Sequence, residues 1–276
     1  MQADMLHEFG GAGPVVHLAH ANGFPPGSYR PLAETLTDRY RVIALPSRAL
    51  WPGSRPERVH DWRTFTDDLI QGLDELELRG ILGIGHSIGG VLTMWAAIRR
   101  PNLFRAVVLI EPVILPPVWL LMLRVMRRLG LYWRQPLVQG ALRRKQFWPS
   151  QQACYESYRN KPLFANWPEA SLRAYVEVGT RRRAEGQVEL VYSPEWEARI
   201  FATAPVDVWH DVPKLRTPAL VIRGGQTNTF RPECQARMER LLPGARYVVI
   251  SGAGHLVPLE RPTETGAAIR AFLESF

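Results

Sequence analysis

The chain has 276 residues, 46% of them hydrophobic and 22% charged, which suits one large α/β domain with a sizeable core and excludes global disorder. Two distant cysteines, Cys154 and Cys234, exclude a disulfide framework and favour two reduced, buried thiols. The net charge of +8 comes without a nucleic-acid recognition motif, so we expect no nucleic-acid partner.

The first residues and the apolar segments predict a cytoplasmic protein. Residues 1–13 lack the apolar core of a secretory signal. The longest apolar stretch, Val113 to Leu123, is interrupted by Pro116 and Pro117 and is shorter than the about 20 residues that span a bilayer. We therefore expect a chain that does not cross a membrane.

Short apolar runs alternate with amphipathic stretches up to residue 111 and again after residue 205. The predicted strands are Pro14–His20, Arg41–Pro46, Gly80–Gly85, Ala106–Glu111, Pro218–Arg223 and Arg246–Ile250. The predicted helices are Ser28–Asp38, Asp61–Leu76 with Asp61 as N-cap, Ile88–Arg99, Pro232–Leu242 and Thr263–Phe276. This alternation indicates an α/β fold, with a mostly parallel central sheet flanked by helices.

Residues 112–205 interrupt the alternation and predict helices only. These helices are placed at Val118–Leu129, Gln135–Phe147, Gln151–Tyr158, Glu169–Arg183 and Ser193–Phe201. We interpret the segment as a helical cap domain over the carboxyl end of the sheet, so that 1–111 and 206–276 form the core domain. The segment contains fourteen basic and seven acidic residues, a net charge of +7, which is nearly all of the excess.

A nucleophile motif, Gly85-His86-Ser87-Ile88-Gly89, lies between a predicted strand and a predicted helix, the context that G-x-S-x-G requires. A nucleophile on so sharp a turn needs small neighbours, which Gly85 and Gly89 supply. The helix that follows presents free N–H groups and the positive end of its dipole. Ser87 is therefore the candidate nucleophile, and the Ile88 N–H is a candidate oxyanion donor.

The chain resembles the α/β-hydrolase superfamily over nearly its whole length. The resemblance rests on this turn and on two other motifs, which match the family in their order and spacing along the chain. The others are HANGF at 20–24, which departs from the family's commoner His-Gly pair, and SGAGH at 251–255. The resemblance implies an esterase-like serine hydrolase without cofactor or metal, whose cap follows the sixth strand. It also implies His255 as general base and a second oxyanion N–H from Asn22 or Phe24.

A triad also needs a carboxylate to orient the histidine, and the resemblance places it in the loop Gly224–Phe230. That loop has no Asp or Glu, and its Asn228 could orient an imidazole but not offset its charge. A subgroup resembling haloalkane dehalogenases carries the acid at the end of the sixth strand, here Glu111. A Glu ending an apolar strand is costly unless paired, so we expect either a Ser87–His255–Glu111 triad or a salt bridge to a cap arginine. Glu233, which is expected on the following helix, is a further candidate acid.

The predicted function is hydrolysis of a carboxylic ester, or a related acyl bond, of a partly apolar small molecule through an acyl-enzyme. Hydrolysis of a C–C bond, lactone or thioester, and cofactor-free perhydrolysis, use the same groups and stay open. Dehalogenases and epoxide hydrolases need an Asp nucleophile, and Ser87 argues against both. A non-catalytic binding protein is the alternative from another class, because the usual acid position is empty.

The cap allows three interpretations. It lines an apolar pocket with arginines near its mouth, which favours a substrate with a large apolar part and a carboxylate. It makes weak interfacial contact with an anionic membrane, or it packs on the core with its charges solvated. The interpretations depend on the run Val118–Leu123 and on Arg124, Arg127 and Arg128 after it. The sequence carries no indication of oligomeric state.

Overall fold

Ten strands and eleven α-helices organise the residues that the computed structural model describes, 5–184 and 186–275. The strands are β1 His7–Gly10, β2 Val15–Ala19, β3 Arg41–Ala44, β4 Ile81–His86, β5 Phe104–Ile110, β6 Phe147–Trp148, β7 Thr180–Arg182, β8 Val188–Leu190, β9 Ala219–Gly224 and β10 Arg246–Ile250. The helices are α1 Arg30–Glu34, α2 Arg63–Glu75, α3 Ile88–Arg99, α4 Pro117–Arg128, α5 Pro136–Leu142, α6 Gln151–Arg159, α7 Glu169–Gly179, α8 Pro194–Ala202, α9 Pro232–Leu241, α10 Val257–Glu260 and α11 Pro262–Leu273.

Seven strands form the central sheet, in the order β1-β3-β2-β4-β5-β9-β10. All neighbours pair in parallel except β1, which runs antiparallel to β3 at one edge. The sheet is mostly parallel, as the sequence predicts. The edge strand β1 is a feature that the sequence analysis misses, because its four residues are too few to show a clear period.

The two faces of the sheet pack against different helices. Alternating side chains of β5 illustrate the division. Val107 and Leu109 belong to the apolar cluster that includes α2 and α3, whereas Val108 and Ile110 belong to the cluster that includes α1 and α11. Burial on both faces is what favours a continuous apolar strand over an alternating one.

Between β5 and β9 the chain is not wholly helical, contrary to the sequence prediction. Helices α4 to α8 lie there, but β6, β8 and β7 form a separate three-stranded antiparallel sheet. The predicted helices Gln135–Phe147 and Glu169–Arg183 are therefore too long, since α5 ends at Leu142 and α7 at Gly179. Thr180, with φ −128° and ψ 146°, is already extended and begins β7.

Three helices of the predicted core differ from the prediction by two residues or more at an end. The helix predicted at Ser28–Asp38 is a 3-10 turn followed by the short α1. Helix α2 begins at Arg63, and Asp61 is not its N-cap residue, although its Oδ1 accepts the Arg63 N–H at 2.7 Å. Helix α11 ends at Leu273, and the last residue of the predicted helix, Phe276, lies outside the described residues.

The strand before the 112–205 segment ends beside the candidate site. The strand predicted at Ala106–Glu111 corresponds to β5, the fifth along the described residues, which the sequence analysis numbers as sixth after the family. Both Cys154 and Cys234 are free and buried, as expected.

Over residues 5–184 and 186–275, no helix has the length and apolar character needed to cross a bilayer. Residues 1–4 of the predicted core domain lie outside the described part.

Candidate active site

Ser87 lies at the turn between β4 and α3, with a backbone conformation that residues with side chains rarely adopt. Its φ of 59° and ψ of −119° represent strain on the order of 1–3 kcal/mol. The turn closes because two glycines allow backbone atoms to approach. A Cβ on Gly85 would lie 2.2 Å from the Gly89 oxygen, and one on Gly89 would lie 2.1 Å from the Ala19 oxygen. The glycine spacing of the motif therefore has a steric cause.

The register of β4 and β5 brings Glu111 beside this turn. His86 pairs with Ile110, so Ser87 and Glu111 directly follow two neighbouring parallel strands at the same edge of the sheet. Glu111 also has a left-handed backbone, with φ 47°, and it is fully buried. Two strained residues with side chains thus occupy adjacent strand ends.

Three donors surround the Glu111 carboxylate. Oε1 accepts the Gly224 N–H at 2.7 Å, while Oε2 accepts the Thr227 hydroxyl at 2.6 Å and lies 3.0 Å from His255 Nδ1. These groups, and not an arginine of the 112–205 segment, are the partners found, so the salt-bridge alternative is wrong. Thr227 belongs to the acid-free loop, which supplies a hydroxyl to the acid of the neighbouring strand. The sequence alone gives no sign of this role.

His255 joins the acid to the hydroxyl of the turn. Its Nδ1 lies 3.0 Å from Glu111 Oε2, and its Nε2 lies 2.9 Å from Ser87 Oγ. Because a carboxylate only accepts, the proton is assigned to Nδ1, which leaves Nε2 with a lone pair for the Ser87 hydroxyl. The structure therefore brings together the three residues that the sequence analysis selects as a triad.

Glu260 holds the loop that carries His255. Its carboxylate accepts the N–H of Gly254 at 2.8 Å and of Leu256 at 3.2 Å, on either side of the histidine. Asn228, in contrast, accepts the Thr229 hydroxyl at 3.3 Å through its side-chain oxygen. Glu260 is thus a support of the loop, and Asn228 has a local partner in place of the imidazole.

A buried hydrogen-bond chain, absent from the sequence analysis, joins the Ser87 turn to both neighbouring loops. His86 Nε2 lies 2.9 Å from the His255 carbonyl oxygen, and His86 Nδ1 lies 2.7 Å from the Tyr29 hydroxyl. Because a carbonyl only accepts, Nε2 carries the proton and Tyr29 donates to Nδ1. The Tyr29 oxygen in turn accepts the Ala21 N–H at 3.0 Å. Burial lowers the pKa of His86 to about 3, which keeps the ring neutral as this pattern requires.

The candidate oxyanion donors differ in their bonding. The Phe24 N–H donates to the Ala21 carbonyl at 3.3 Å, in a turn where Gly23 has φ 81°. The Asn22 N–H has no partner among the described residues, and the Ile88 N–H has none within α3 because it is the first of that helix. Ile88 and Asn22 are therefore the two with an N–H available to a ligand.

One arginine of the 112–205 segment lies against the HANGF loop, and it is neutralised there. A Cβ on Gly23 would lie 3.3 Å from both Arg144 Nη1 and Glu197 Cδ. Arg144 Nη1 donates to Glu197 Oε2 at 2.6 Å, and Nη2 bonds the Tyr158 hydroxyl at 3.1 Å and the Tyr175 hydroxyl. The pair has no net charge, so it adds no positive field beside the turn.

Residues 15–268 match the profile of the Alpha/beta hydrolase family. The chain belongs to the α/β-hydrolase family. This α/β hydrolase is 27% identical over 271 residues to the 2-(acetamidomethylene)succinate hydrolase of Mesorhizobium japonicum, covering 96% of this chain and 90% of that protein. It is 24% identical over 270 residues to the (E)-2-((N-methylformamido)methylene)succinate hydrolase of Acinetobacter baylyi, covering 96% and 92%.

Solved structures share the fold of this α/β hydrolase. The crystal structure of E-2-(acetamidomethylene)succinate hydrolase superposes with a TM-score of 0.80 at 23% identity, covering 98% of this chain and 94% of that one. The thioesterase domain from the curacin biosynthetic pathway superposes with a TM-score of 0.73 at 19% identity, covering 96% and 94%. At these identities the likeness establishes the architecture, a mostly parallel sheet flanked by helices.

Proposed function

We propose that this α/β hydrolase is a serine hydrolase that cleaves a carboxylic ester, or a related acyl bond, of a partly apolar small molecule through an acyl-enzyme. One observation carries the proposal: a continuous hydrogen-bonded line runs from Ser87 Oγ through His255 to Glu111, with distances of 2.9 and 3.0 Å. In this reaction Ser87 is the nucleophile, His255 the general base and Glu111 the acid that orients the base.

The first half-reaction forms an ester bond to Ser87. Its Oγ attacks the acyl carbon while its proton passes to Nε2 of His255, and Glu111 stabilises the imidazolium that forms. The Nε2 proton then passes to the leaving alcohol as the bond to the acyl carbon breaks. The acyl group stays on Ser87, and the alcohol departs.

Backbone N–H groups stabilise the negative charge on the carbonyl oxygen of the tetrahedral intermediate. Ile88 provides one donor and adds the positive end of the α3 dipole. We assign the second donor to Asn22, because the N–H of Phe24 is engaged in its turn. Removing one oxyanion donor typically costs about 3 kcal/mol of transition-state stabilisation.

Water completes the second half-reaction. His255 Nε2 takes a proton from a water molecule as its oxygen attacks the acyl carbon. The bond to Ser87 Oγ then breaks, and the imidazolium returns its proton to that oxygen. The free acid leaves, and the starting protonation state is restored.

In this proposal residues 112–205 form the cap domain, and 1–111 with 206–276 form the core. Aromatic residues of the cap pack beside the HANGF loop: the ring of Phe24 lies 5.1 Å from that of Tyr175 and 6.0 Å from that of Trp167. Tyr175 and Trp167 are buried, whereas Phe24 is half-buried and leaves part of its ring accessible next to the proposed oxyanion donors, which supports a substrate with an apolar part.

A carboxylate-bearing substrate is the second candidate. It is favoured by the two relatives named above, whose names specify succinate derivatives. In this chain the cation nearest the HANGF loop, Arg144, is already paired with Glu197, so a substrate carboxylate would have to take the place of Glu197. Neutral and anionic esters of equal size separate the two candidates. A preference for the anionic ester that weakens with salt would favour the second.

A series of p-nitrophenyl esters of rising chain length tests the proposal. We expect turnover by the wild type and, in Ser87→Ala, a loss of about 10⁴-fold or more. Ser251→Ala is the matched control, because this exposed serine lies in the loop before His255 and outside the hydrogen-bonded line. A serine-reactive phosphonate should label Ser87 alone. Absence of both turnover and labelling would favour a binding protein without catalytic activity.

A further inference from the structure

Helix α4 presents an apolar stripe to solvent. Residues spaced three and four apart along it fall on one face, and each has 47–67% of its surface exposed. The stripe consists of Val118, Leu121, Met122, Val125 and, just after the helix, Leu129. The opposite face of the helix is buried through Leu120 and Leu123. Contiguous exposed apolar surface of this kind marks an interaction site.

Positive charge without carboxylates accompanies the stripe. No Asp or Glu occurs between Glu111 and Glu156. Within that interval, five cations are exposed and none forms an ion pair with a described carboxylate: Arg124, Arg128, Arg134, Arg143 and Lys145. At 100° per residue, Arg124 and Arg128 lie along one border of the stripe.

A groove of about 210 Å³ lies beside the N-terminal half of α4, next to this positive surface. Its lining includes Arg124 and Arg237, and the Arg237 guanidinium stacks 4.5 Å from the centre of the Trp209 ring. The carboxylate in the lining, Asp207, already pairs with Arg63 at 2.9 Å. The groove therefore retains net positive charge, which suits a phosphate group.

We propose that α4 docks this protein on an anionic membrane surface. The apolar stripe enters the lipid interface, and the bordering arginines meet the phosphates of the headgroups. A second copy of the chain fits less well, because a two-fold contact would bring two cation-rich faces together without carboxylates between them. A convex apolar stripe also needs no complementary pocket in a lipid surface. The proposal is independent of the chemistry assigned to Ser87.

Sedimentation with lipid vesicles tests the docking. We expect the full chain to bind vesicles of phosphatidylcholine mixed with phosphatidylglycerol and to bind phosphatidylcholine alone much more weakly. Binding should weaken as salt rises, because exposed charges are screened. Inorganic phosphate at the same concentration as the lipid phosphate should not release the protein. Release would assign the cations to a soluble anion and overturn the proposal.

Paired substitutions separate the two contributions. Arg128→Gln with Arg134→Gln should reduce affinity for anionic vesicles by about 30-fold, since each arginine near such a surface contributes about fivefold. Leu121→Ser with Val125→Ser should weaken binding even at low salt. The matched control, Arg105→Gln with Arg216→Gln, removes two exposed arginines outside the 112–205 segment and should change binding little. Unchanged thermal unfolding verifies that each variant is folded.

Three results would overturn the proposal. The wild type could fail to bind anionic vesicles at low salt. The control pair could lose as much affinity as Arg128→Gln with Arg134→Gln, which would indicate a nonspecific effect of net charge. In the absence of lipid, sedimentation equilibrium could show a dimer that Leu121→Ser with Val125→Ser dissociates, which would make a second copy the occupant of the stripe.

Discussion

In the hydrogen-bonded line through Ser87, His255 and Glu111 the polar side chains are matched, whereas on the outer face of α4 apolar groups are exposed and cations have no carboxylate partner. Around Ser87 the acid has three donors, the imidazole has a partner on each nitrogen, and His86 has two partners. On α4, five apolar side chains face solvent beside arginines without carboxylates.

In both of our proposals, the ligand is placed at the groups that lack a partner within the protein. Beside Ser87, the backbone N–H donors of Ile88 and Asn22 are free, and they suit a small oxyanion. On α4 the free groups form a broad surface, which suits an extended partner. The site around Ser87 is therefore suited to a small ligand bound by specific hydrogen bonds, and the surface of α4 to a partner bound over a large contact area.

The largest expected effect comes from removing the charge of the buried acid. Glu111→Gln should lower kcat by about 10⁴-fold on a p-nitrophenyl ester, because the amide favours the wrong imidazole tautomer and cannot stabilise the imidazolium. Glu233→Gln is the control, since Glu233 pairs with Arg231 away from this network, at 2.9 Å. Turnover near the wild-type level in a folded Glu111→Gln would show that the acid is elsewhere.

The second largest expected effect is a fall in the free energy of unfolding at acid pH, caused by three buried histidines. Burial lowers the pKa values of His17, His20 and His86 to about 3, 4 and 3, against about 6.5 in the unfolded chain. The unfolded state therefore takes up protons first, so this stability is complete above pH 6.5 and is lost as pH falls toward 4. Between about pH 7.5 and 5.5 the free energy of unfolding should fall by about 1.4 kcal/mol per histidine, about 4 kcal/mol in total.

Urea unfolding across that pH range measures the loss. His210→Gln is the matched variant, because His210 is exposed and its removal should leave the pH dependence unchanged. A wild-type unfolding free energy that stays constant down to pH 5.5 would show that the three histidines are protonated in the folded state. The arginines of α4 do not titrate in this range, so the loss reports on the buried region.

The Ser87 turn and the 112–205 segment also differ in how tightly the backbone is packed. Gly89→Ala should destabilise the protein by roughly 3 kcal/mol or more, because its Cβ would lie 2.1 Å from a backbone oxygen that has little room to move. Gly140→Ala, in α5, has open space around its Cβ and should stabilise the protein by up to about 1 kcal/mol. Urea unfolding of both variants gives the contrast, and equal effects would contradict it.

Local chemistry explains why part of the site is readable from sequence. The glycines around Ser87 are required by sterics within one turn, and the order of strands and helices fixes His255 in the loop after the last strand. Glu111 could be selected only through the resemblance to a subgroup that carries its acid at this strand end, because its partner Thr227 is 116 residues away. Tyr29 could not be selected at all, since nothing near it in sequence reveals a contact 57 residues along the chain.

The same reasoning separates the predicted fold from the parts that were missed. Apolar strands such as Ala106–Glu111 and Gly80–Gly85 were placed to within about two residues, because burial on both faces leaves a clear pattern. Strands β1 and β7 have four and three residues and are half exposed or charged, so they carry no such pattern. Pairing partners from elsewhere in the chain decide their conformation.

The smallest expected effect tests whether the Tyr29–His86 chain positions the reacting groups. Tyr29→Phe removes the donor to His86 Nδ1 and the acceptor for the Ala21 N–H, so both neighbouring loops lose a fixed point. We expect kcat to fall about tenfold with little change in KM, because misplaced groups affect the transition state more than binding. Tyr247→Phe is the matched control: its hydroxyl donates to the Leu242 carbonyl at 3.0 Å, away from the turn.

Both variants should lose about 1 kcal/mol or more of unfolding free energy, since each removes a buried or half-buried hydrogen bond. Only Tyr29→Phe should also lower kcat and change its pH profile, because His86 then has no donor at Nδ1 and the carbonyl of His255 is less firmly held. If the two variants lose equal stability and both keep the wild-type kcat, the chain stabilises the fold alone. The buried polar network would then extend beyond the groups that the reaction uses.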